Sequence, residues 1–125
     1  MGSYPWRRFE RRLSAPLRGE IWAVDLNPVR GHEQAGRRPC LVISDDIYNQ
    51  GPAAKHIVLP VTSRKKGIPY HLLVSPPEGG RRMTSYVMCD DIRSVSRERF
   101  IEHLGTVSGR TMLLVRESLE VLLAW

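Results

Sequence analysis

Polar and apolar positions along the chain fall into two regimes. Up to about residue 95 the apolar residues alternate with a period of two or come in short runs, and beyond it they recur every three or four positions. Glu20-Ile21-Trp22-Ala23-Val24-Asp25-Leu26 reads as a strand that ends at Asn27-Pro28. Ile21, Ala23 and Asp25 share one of its faces; Trp22, Val24 and Leu26 share the other, which is the expected core face. Residues 29–37 have loop composition. Pro39-Cys40-Leu41-Val42-Ile43-Ser44 is a continuous apolar run of strand length, predicted to be buried on both faces. A turn is expected over 45–53. His56–Thr62 is a third strand, and its Pro60, which has no N–H to give a ladder, predicts a bulge or a sheet edge at that point. The basic turn Ser63-Arg64-Lys65-Lys66-Gly67 leads to a strand over Tyr70–Val74, stopped by Pro76-Pro77-Glu78-Gly79-Gly80. Residues 84–89 and 92–95 supply the last strand material, with Asp90-Asp91 as a bend. Ser96–Gly105 reads as a short helix with a Ser cap and a terminal Gly. Ser108 caps a longer helix on which Met112, Val115, Leu119 and Leu122 form one apolar stripe. Strands first and helices last, without βαβ alternation, predict a mostly β fold: an antiparallel, barrel-like sheet packed by a C-terminal helix.

Size narrows the options. At 125 residues, with 42% hydrophobic and 26% charged, the chain is expected to form one domain with its own core, which excludes enzymes that need a separate cofactor domain. The apolar runs around Leu113–Val115 and at the end of the chain fall far short of the ~18–20 residues that cross a bilayer, so no membrane span is expected. Arg7, Arg8, Arg11 and Arg12 are not followed by an apolar stretch of signal-peptide length, and a cytoplasmic protein is expected. Cys40 and Cys89 belong to no metal-ligand spacing and read as buried, reduced thiols. The formal net charge is +6, of which +4 sits in residues 1–18. The expected organisation is therefore a basic arm over 1–17 and a folded domain over 18–125. Tyr4, Trp6 and Phe9 interleave with the arm's arginines, a composition suited either to phosphates and stacked bases or to a solvated terminus.

Several familiar catalytic patterns are absent: a glycine-rich phosphate loop, HExxH, GxSxG, and an acidic triad for Mg²⁺. Asp45-Asp46 and Asp90-Asp91 are the adjacent carboxylate pairs, and neighbours on a strand point to opposite faces, so no metal or cofactor is expected. The informative stretch is Gly31-His32-Glu33-Gln34-Ala35-Gly36-Arg37-Arg38-Pro39, a polar loop running into a buried strand. An Arg at the mouth of a strand matches two phosphate oxygens with its planar fork, and alternatively it staples the loop to Glu33. His32 and His71 are each compatible with acid–base work or with an ordinary structural position.

That loop, together with Arg18-Gly19-Glu20-Ile21-Trp22, Asp25-Leu26-Asn27-Pro28, Pro60-Val61-Thr62, Lys66-Gly67-Ile68-Pro69 and Ser85-Tyr86-Val87-Met88-Cys89-Asp90-Asp91-Ile92-Arg93-Ser94-Val95, resembles in order the MazF/PemK/Kid family of toxin endoribonucleases from type II toxin-antitoxin systems. The resemblance runs over nearly all of residues 18–124 and rests most on Glu-Gln-x-Gly-x-Arg-Pro. It implies a small SH3-like or CcdB-like antiparallel β-barrel, a homodimer, and metal-independent, sequence-specific cleavage of single-stranded RNA, with an acidic segment of a MazE-like antitoxin as the controlling partner. By position, Arg38 resembles the family's catalytic arginine, Thr62 its catalytic threonine, and Glu33 the acid that precedes the arginine. Glu33 either takes the proton of the attacking 2′-OH or orients Arg38. Arg30, Gln34, Arg37, Arg64, Lys65, Lys66, Asp91 and Arg93 are the expected RNA contacts. Asp91 stands where the family commonly has Gln, so it is expected either to alter base preference or to pair with Arg93. Two other classes remain compatible: a non-catalytic CcdB-like toxin that binds DNA gyrase, and a plain RNA-binding module.

Overall fold

The computed structural model describes residues 15–27 and 36–125. Seven strands form one sheet: β1 (Glu20–Asp25), β2 (Arg37–Val42), β3 (Lys55–Thr62), β4 (His71–Val74), β5 (Ser85–Met88), β6 (Arg93–Ser96) and β7 (Phe100–Thr106). Among the described residues two helices accompany them, the four-residue α1 (Asp46–Asn49) and the C-terminal α2 (Gly109–Leu123). The hydrogen-bonded order is β4-β5-β3-β2-β1-β7, with β6 paired to β3, and every pairing is antiparallel.

Alternation along the central strands divides the apolar residues between two clusters. Ile21, Leu41, Leu59, Val61, Val87 and Val115 belong to the larger, against which the α2 stripe of Met112, Leu119 and Leu122 packs. Val24, Leu26, Cys40, Val42, Val58 and Val95 form the smaller, flanked by Trp22 and Phe100. Cys40, Leu41 and Val42 are all fully buried, as expected for a strand covered on both faces. The expectation of a single core face on β1 is corrected by this arrangement. Its alternation holds, but Ile21, on the face read as outer, is wholly buried because its partner Leu41 leads it into the larger core.

Two further expectations change. Residues 96–105 do not form a helix. A single 3-10 turn at Arg97–Arg99 leads into β7, whose register along β1 slips twice. Phe100 packs against the smaller core and Leu104 against the larger. The unpaired edge of β1 decides for the strand. Pro60 lies neither in a bulge nor on an outer edge. β3 is central, and on one side its partner changes from β6 (through Val58) to β5 (from Val61), so Pro60 falls in the gap between partners, opposite the connection over 88–92. The turn expected over 45–53 contains α1, capped by the Asp45 carboxylate, which accepts the Ile47 N–H at 2.9 Å.

The sheet is not closed by hydrogen bonds: β4 and β7 are its two ends. The chain leaving β4 covers β7 instead, through a 3-10 turn at Glu78–Gly80 so close that a Cβ on Gly80 would lie 1.9 Å from the Leu104 carbonyl oxygen. Helix α2 starts against this turn. Ser108 Oγ accepts the Thr111 N–H at 3.1 Å, and the Glu78 carboxylate accepts the Ser108 N–H at 2.9 Å and the Thr111 hydroxyl at 2.5 Å. Those bonds, the Thr111 hydroxyl first, hold the Glu78 pKa below its ordinary value.

Candidate functional site

β2 and β3 pair through Cys40–Pro60, Leu41–Leu59 and Val42–Val58. Continued two residues further, this register would set Arg38 across from Thr62 on the face that carries Cys40 and Val42. The paired positions end at Cys40–Pro60, and the residues carried over as a catalytic pair, 24 positions apart in sequence, lie toward the same end of the sheet, one at the start of β2 and the other at the end of β3. Arg38 is exposed, while Thr62 is 8% exposed at the end of β3, where Tyr86 of β5 is its partner on the other side. Thr62 Oγ1 accepts the Arg64 N–H at 3.1 Å. That bond uses an acceptor site of the hydroxyl and keeps its proton available to a phosphate oxygen. It also ties the basic turn to the end of the strand, with Arg64, Lys65 and Lys66 exposed beyond it.

Asp91 and Arg93 stand on the same face, on the far side of Cys40 and Pro60. The guanidinium grips the carboxylate with two bonds, Nε to Oδ1 and Nη2 to Oδ2, both 3.0 Å. This is the pairing alternative for Asp91, and the guanidinium neutralises the carboxylate. Both groups are felt at the Cys40 thiol beneath. Its pKa is pushed up to about 12 by burial, lowered in part by Arg93 and raised by Asp91, so the thiol is inert. Cys89 is likewise pushed up to about 12, chiefly by burial.

Arg37 faces away from this group. It is opposite Asp25, and with Asn27, Glu98, Arg99 and Ile101 the two line a separate cleft of about 430 Å³. Glu33, Arg30, Gln34 and His32 lie outside the described residues, as do residues 1–14 of the arm. Residues at the arm's inner end are already packed, Ala15 being 5% exposed and the Leu17 N–H bonded to Glu20 Oε1 at 2.8 Å. A contact that the sequence reading missed is His71 Nε2 to Asp90 Oδ1, 2.9 Å. The two residues are far apart in sequence, and only the pairing of His71 with Met88 brings them together. Among the described residues, no three His, Cys, Asp or Glu side chains converge as a metal site.

Arg38, which is exposed, and the Thr62 hydroxyl thus lie toward one end of the sheet, with the basic turn 64–66 following Thr62. This arrangement suits a phosphodiester whose non-bridging oxygens gain charge as a nucleophile attacks. Known proteins agree. Residues 17–123 match the profile of the PemK-like, MazF-like toxins of type II toxin-antitoxin systems. The chain is 35% identical over 109 residues to the endoribonuclease MazF9 of Mycobacterium tuberculosis, covering 83% of this chain and 92% of that one. A crystal structure of MazF from Deinococcus radiodurans superposes with a TM-score of 0.78 at 35% identity, over 89% of this chain and 98% of that one. A MazE–MazF complex from the same organism superposes with a TM-score of 0.70 at 30% identity, over 87% and 95%.

Proposed function

The chain belongs to the PemK-like, MazF-like toxin family of type II toxin-antitoxin systems, and from that membership we propose an endoribonuclease that cuts single-stranded RNA with Arg38 and Thr62 at its centre. The observation that supports the reading is the antiparallel β2–β3 register, which leads Arg38, at the start of β2, and Thr62, at the end of β3, toward the same end of the sheet. A ribose 2′-oxygen attacks the adjacent phosphorus and its proton passes to a base, for which Glu33 is the proposed group; alternatively, Glu33 only orients Arg38. As the P–O2′ bond forms and the P–O5′ bond breaks, charge grows on the non-bridging oxygens. The fixed guanidinium of Arg38 and the Thr62 hydroxyl stabilise it. The leaving 5′-oxygen takes a proton, and the products are a cyclic or terminal phosphate and a 5′-OH. None of these steps calls for a metal ion.

Arg64, Lys65 and Lys66 are proposed as phosphate contacts that draw the strand across Thr62, with Arg30, Gln34 and Arg37, the first residue of β2, as further proposed RNA contacts. Arg93 acts within its pair with Asp91, which tempers the local positive charge. RNA as substrate places the protein in the cytoplasm, and no helix among the described residues is long and apolar enough to cross a membrane. A homodimer restrained by the acidic segment of a MazE-like antitoxin completes the proposal, by analogy with the MazE–MazF assembly. The 1–17 arm is proposed to add positive charge to the 18–125 domain.

The test is purified protein on a mixed RNA in EDTA. The wild type is expected to cut at defined sites, and Arg38→Ala, whose side chain is exposed, to keep its unfolding temperature while cutting about 10²–10³-fold more slowly. Wild-type cleavage by the folded variant would remove Arg38 from the site. Inactivity of the wild type on every RNA, with inhibition of gyrase, would favour the CcdB-like reading.

A further inference from the structure

The connection between β5 and β6 presents two adjacent carboxylates that the fold treats differently. Asp91 is clasped by Arg93. Asp90 is bonded instead to a histidine from the neighbouring strand, and the burial of the two partners is opposite. The His71 side chain is 5% exposed and that of Asp90 39%. A buried ring thus holds a carboxylate that remains open to a ligand.

Nδ1 of the same ring is buried with no hydrogen-bond partner among the described residues. If the imidazole served only to fill space, an apolar ring would do so without stranding a nitrogen. The bond this histidine does make is to Asp90, which points to a role in aiming that group.

The pair stands on the face of the sheet that bears Thr62. His71 is opposite Met88 on β5, Met88 shares its face with Tyr86, and Tyr86 is opposite Thr62. Two inter-strand spacings of ~4.8 Å and two residues of ~3.3 Å separate His71 from Thr62. That distance suits a nucleotide flanking the cleaved bond and not the bond itself. A carboxylate repels phosphate, so whatever it receives from RNA must be a hydrogen-bond donor. The exocyclic amino groups of cytosine, adenine and guanine qualify. Uracil, whose N–H is flanked by two carbonyls, does not.

We infer that His71 is a positioning residue that aims the Asp90 carboxylate to read an amino-bearing nucleobase flanking the cleaved bond, against uracil. The inference rests on the endoribonuclease reading of this site, and its test separates the two. Sequencing the ends produced from an RNA with randomised flanks should show uracil disfavoured about tenfold at one flanking position for the wild type. His71→Phe should reduce that ratio to less than about twofold, raising KM for the preferred RNA more than it lowers kcat. His71→Gln, whose amide N–H still reaches a carboxylate, should restore much of the preference. The unfolding temperature of His71→Phe should not fall, because the variant removes a stranded nitrogen. Selection of non-cleavable 2′-O-methyl RNAs by binding provides a readout independent of cutting. The same uracil bias there without any cleavage would sink the nuclease and keep the inference. An unchanged profile in both His71→Phe and Asp90→Asn would overturn it, as would slowing by the same factor on all sequences with the preference intact. Should His71→Phe fail to fold, Asp90→Asn decides alone, since its surface position carries no such burden.

Discussion

Thr62 and His56 lie on the same strand and show how much the surroundings decide for one polar side chain. Thr62 is at the end of β3, where its oxygen accepts the Arg64 N–H and its proton remains to be given. Thr62→Val should therefore lose both. Cleavage is expected to slow by about tenfold or more and stability to fall by about 1 kcal/mol, whereas Thr62→Ser should keep most of each. Single-turnover cleavage with urea unfolding checks this, and full activity in the valine variant would reduce Thr62 to a loop staple. His56, in contrast, is fully buried. Its Nε2 accepts Arg97 Nε at 3.3 Å, so Nδ1 carries the proton given to Asn49 Oδ1 at 3.0 Å. Asn49 in turn bonds Ser44 and Asp46, and its carbonyl accepts Arg97 Nη2. Burial, aided by Arg97, pushes the His56 pKa down from 6.5 to about 4. The unfolded chain then binds this proton more readily than the folded one. The stabilisation is complete above pH 6.5 and is lost as pH falls towards 4, by up to about 3 kcal/mol. Urea unfolding between pH 7.5 and 4.5 should show that slope in the wild type and lose most of it in His56→Gln.

At the scale of elements, the joint between the 3-10 turn at Glu78–Gly80 and β7 takes the place of a strand pairing. Gly80 has φ +69° and meets the Leu104 backbone, while Gly67, with φ +71°, has open space where a Cβ would go. Alanine at either position pays for the left-handed backbone, about 1 kcal/mol. At Gly80 it must also displace β7, so Gly80→Ala is expected to lower stability by several-fold more than Gly67→Ala. Thermal unfolding of the two variants is the measurement, and equal losses would mean that the joint yields freely. The Ser96–Gly105 segment teaches a related lesson. Its Ser cap and terminal Gly read locally as a short helix, and local pattern alone does not choose between helix and strand. The choice came from β1, whose backbone groups on that side require a partner.

At the scale of the whole molecule, Arg38, Arg64, Lys65 and Lys66 among the described residues lie toward one end of the sheet, and an RNA strand or an acidic antitoxin segment would answer the same positive charge. Competition for one surface is the expected mode of control. Replacing Lys65 and Lys66 with Gln should lower the dependence of log K on log salt for single-stranded RNA by about 1.4, with different sequences affected alike. The acidic peptide should weaken in parallel. A changed cleavage motif with an unchanged salt slope would instead make the two lysines base readers, and additive binding of peptide and RNA would separate their surfaces.

The periodicities along the chain were enough to place most of the strands, the α2 stripe and its Ser108 cap, because burial of alternate or every third and fourth residue is a local constraint written into each segment. The resemblance carried by the Glu-Gln-x-Gly-x-Arg-Pro element and Pro60-Val61-Thr62 singled out Arg38 and Thr62 as candidates, a proposal that Arg38→Ala and Thr62→Val test. What tertiary structure decided were matters of partnership. It turned residues 96–105 into β7, sent Ile21 into the larger core, and set Pro60 in the gap between two partners. It divided Asp90 from Asp91, giving one to His71 and the other to Arg93. Each of these depends on what lies across a hydrogen-bonded ladder, tens of residues away in sequence, and a one-residue change of register would reverse it.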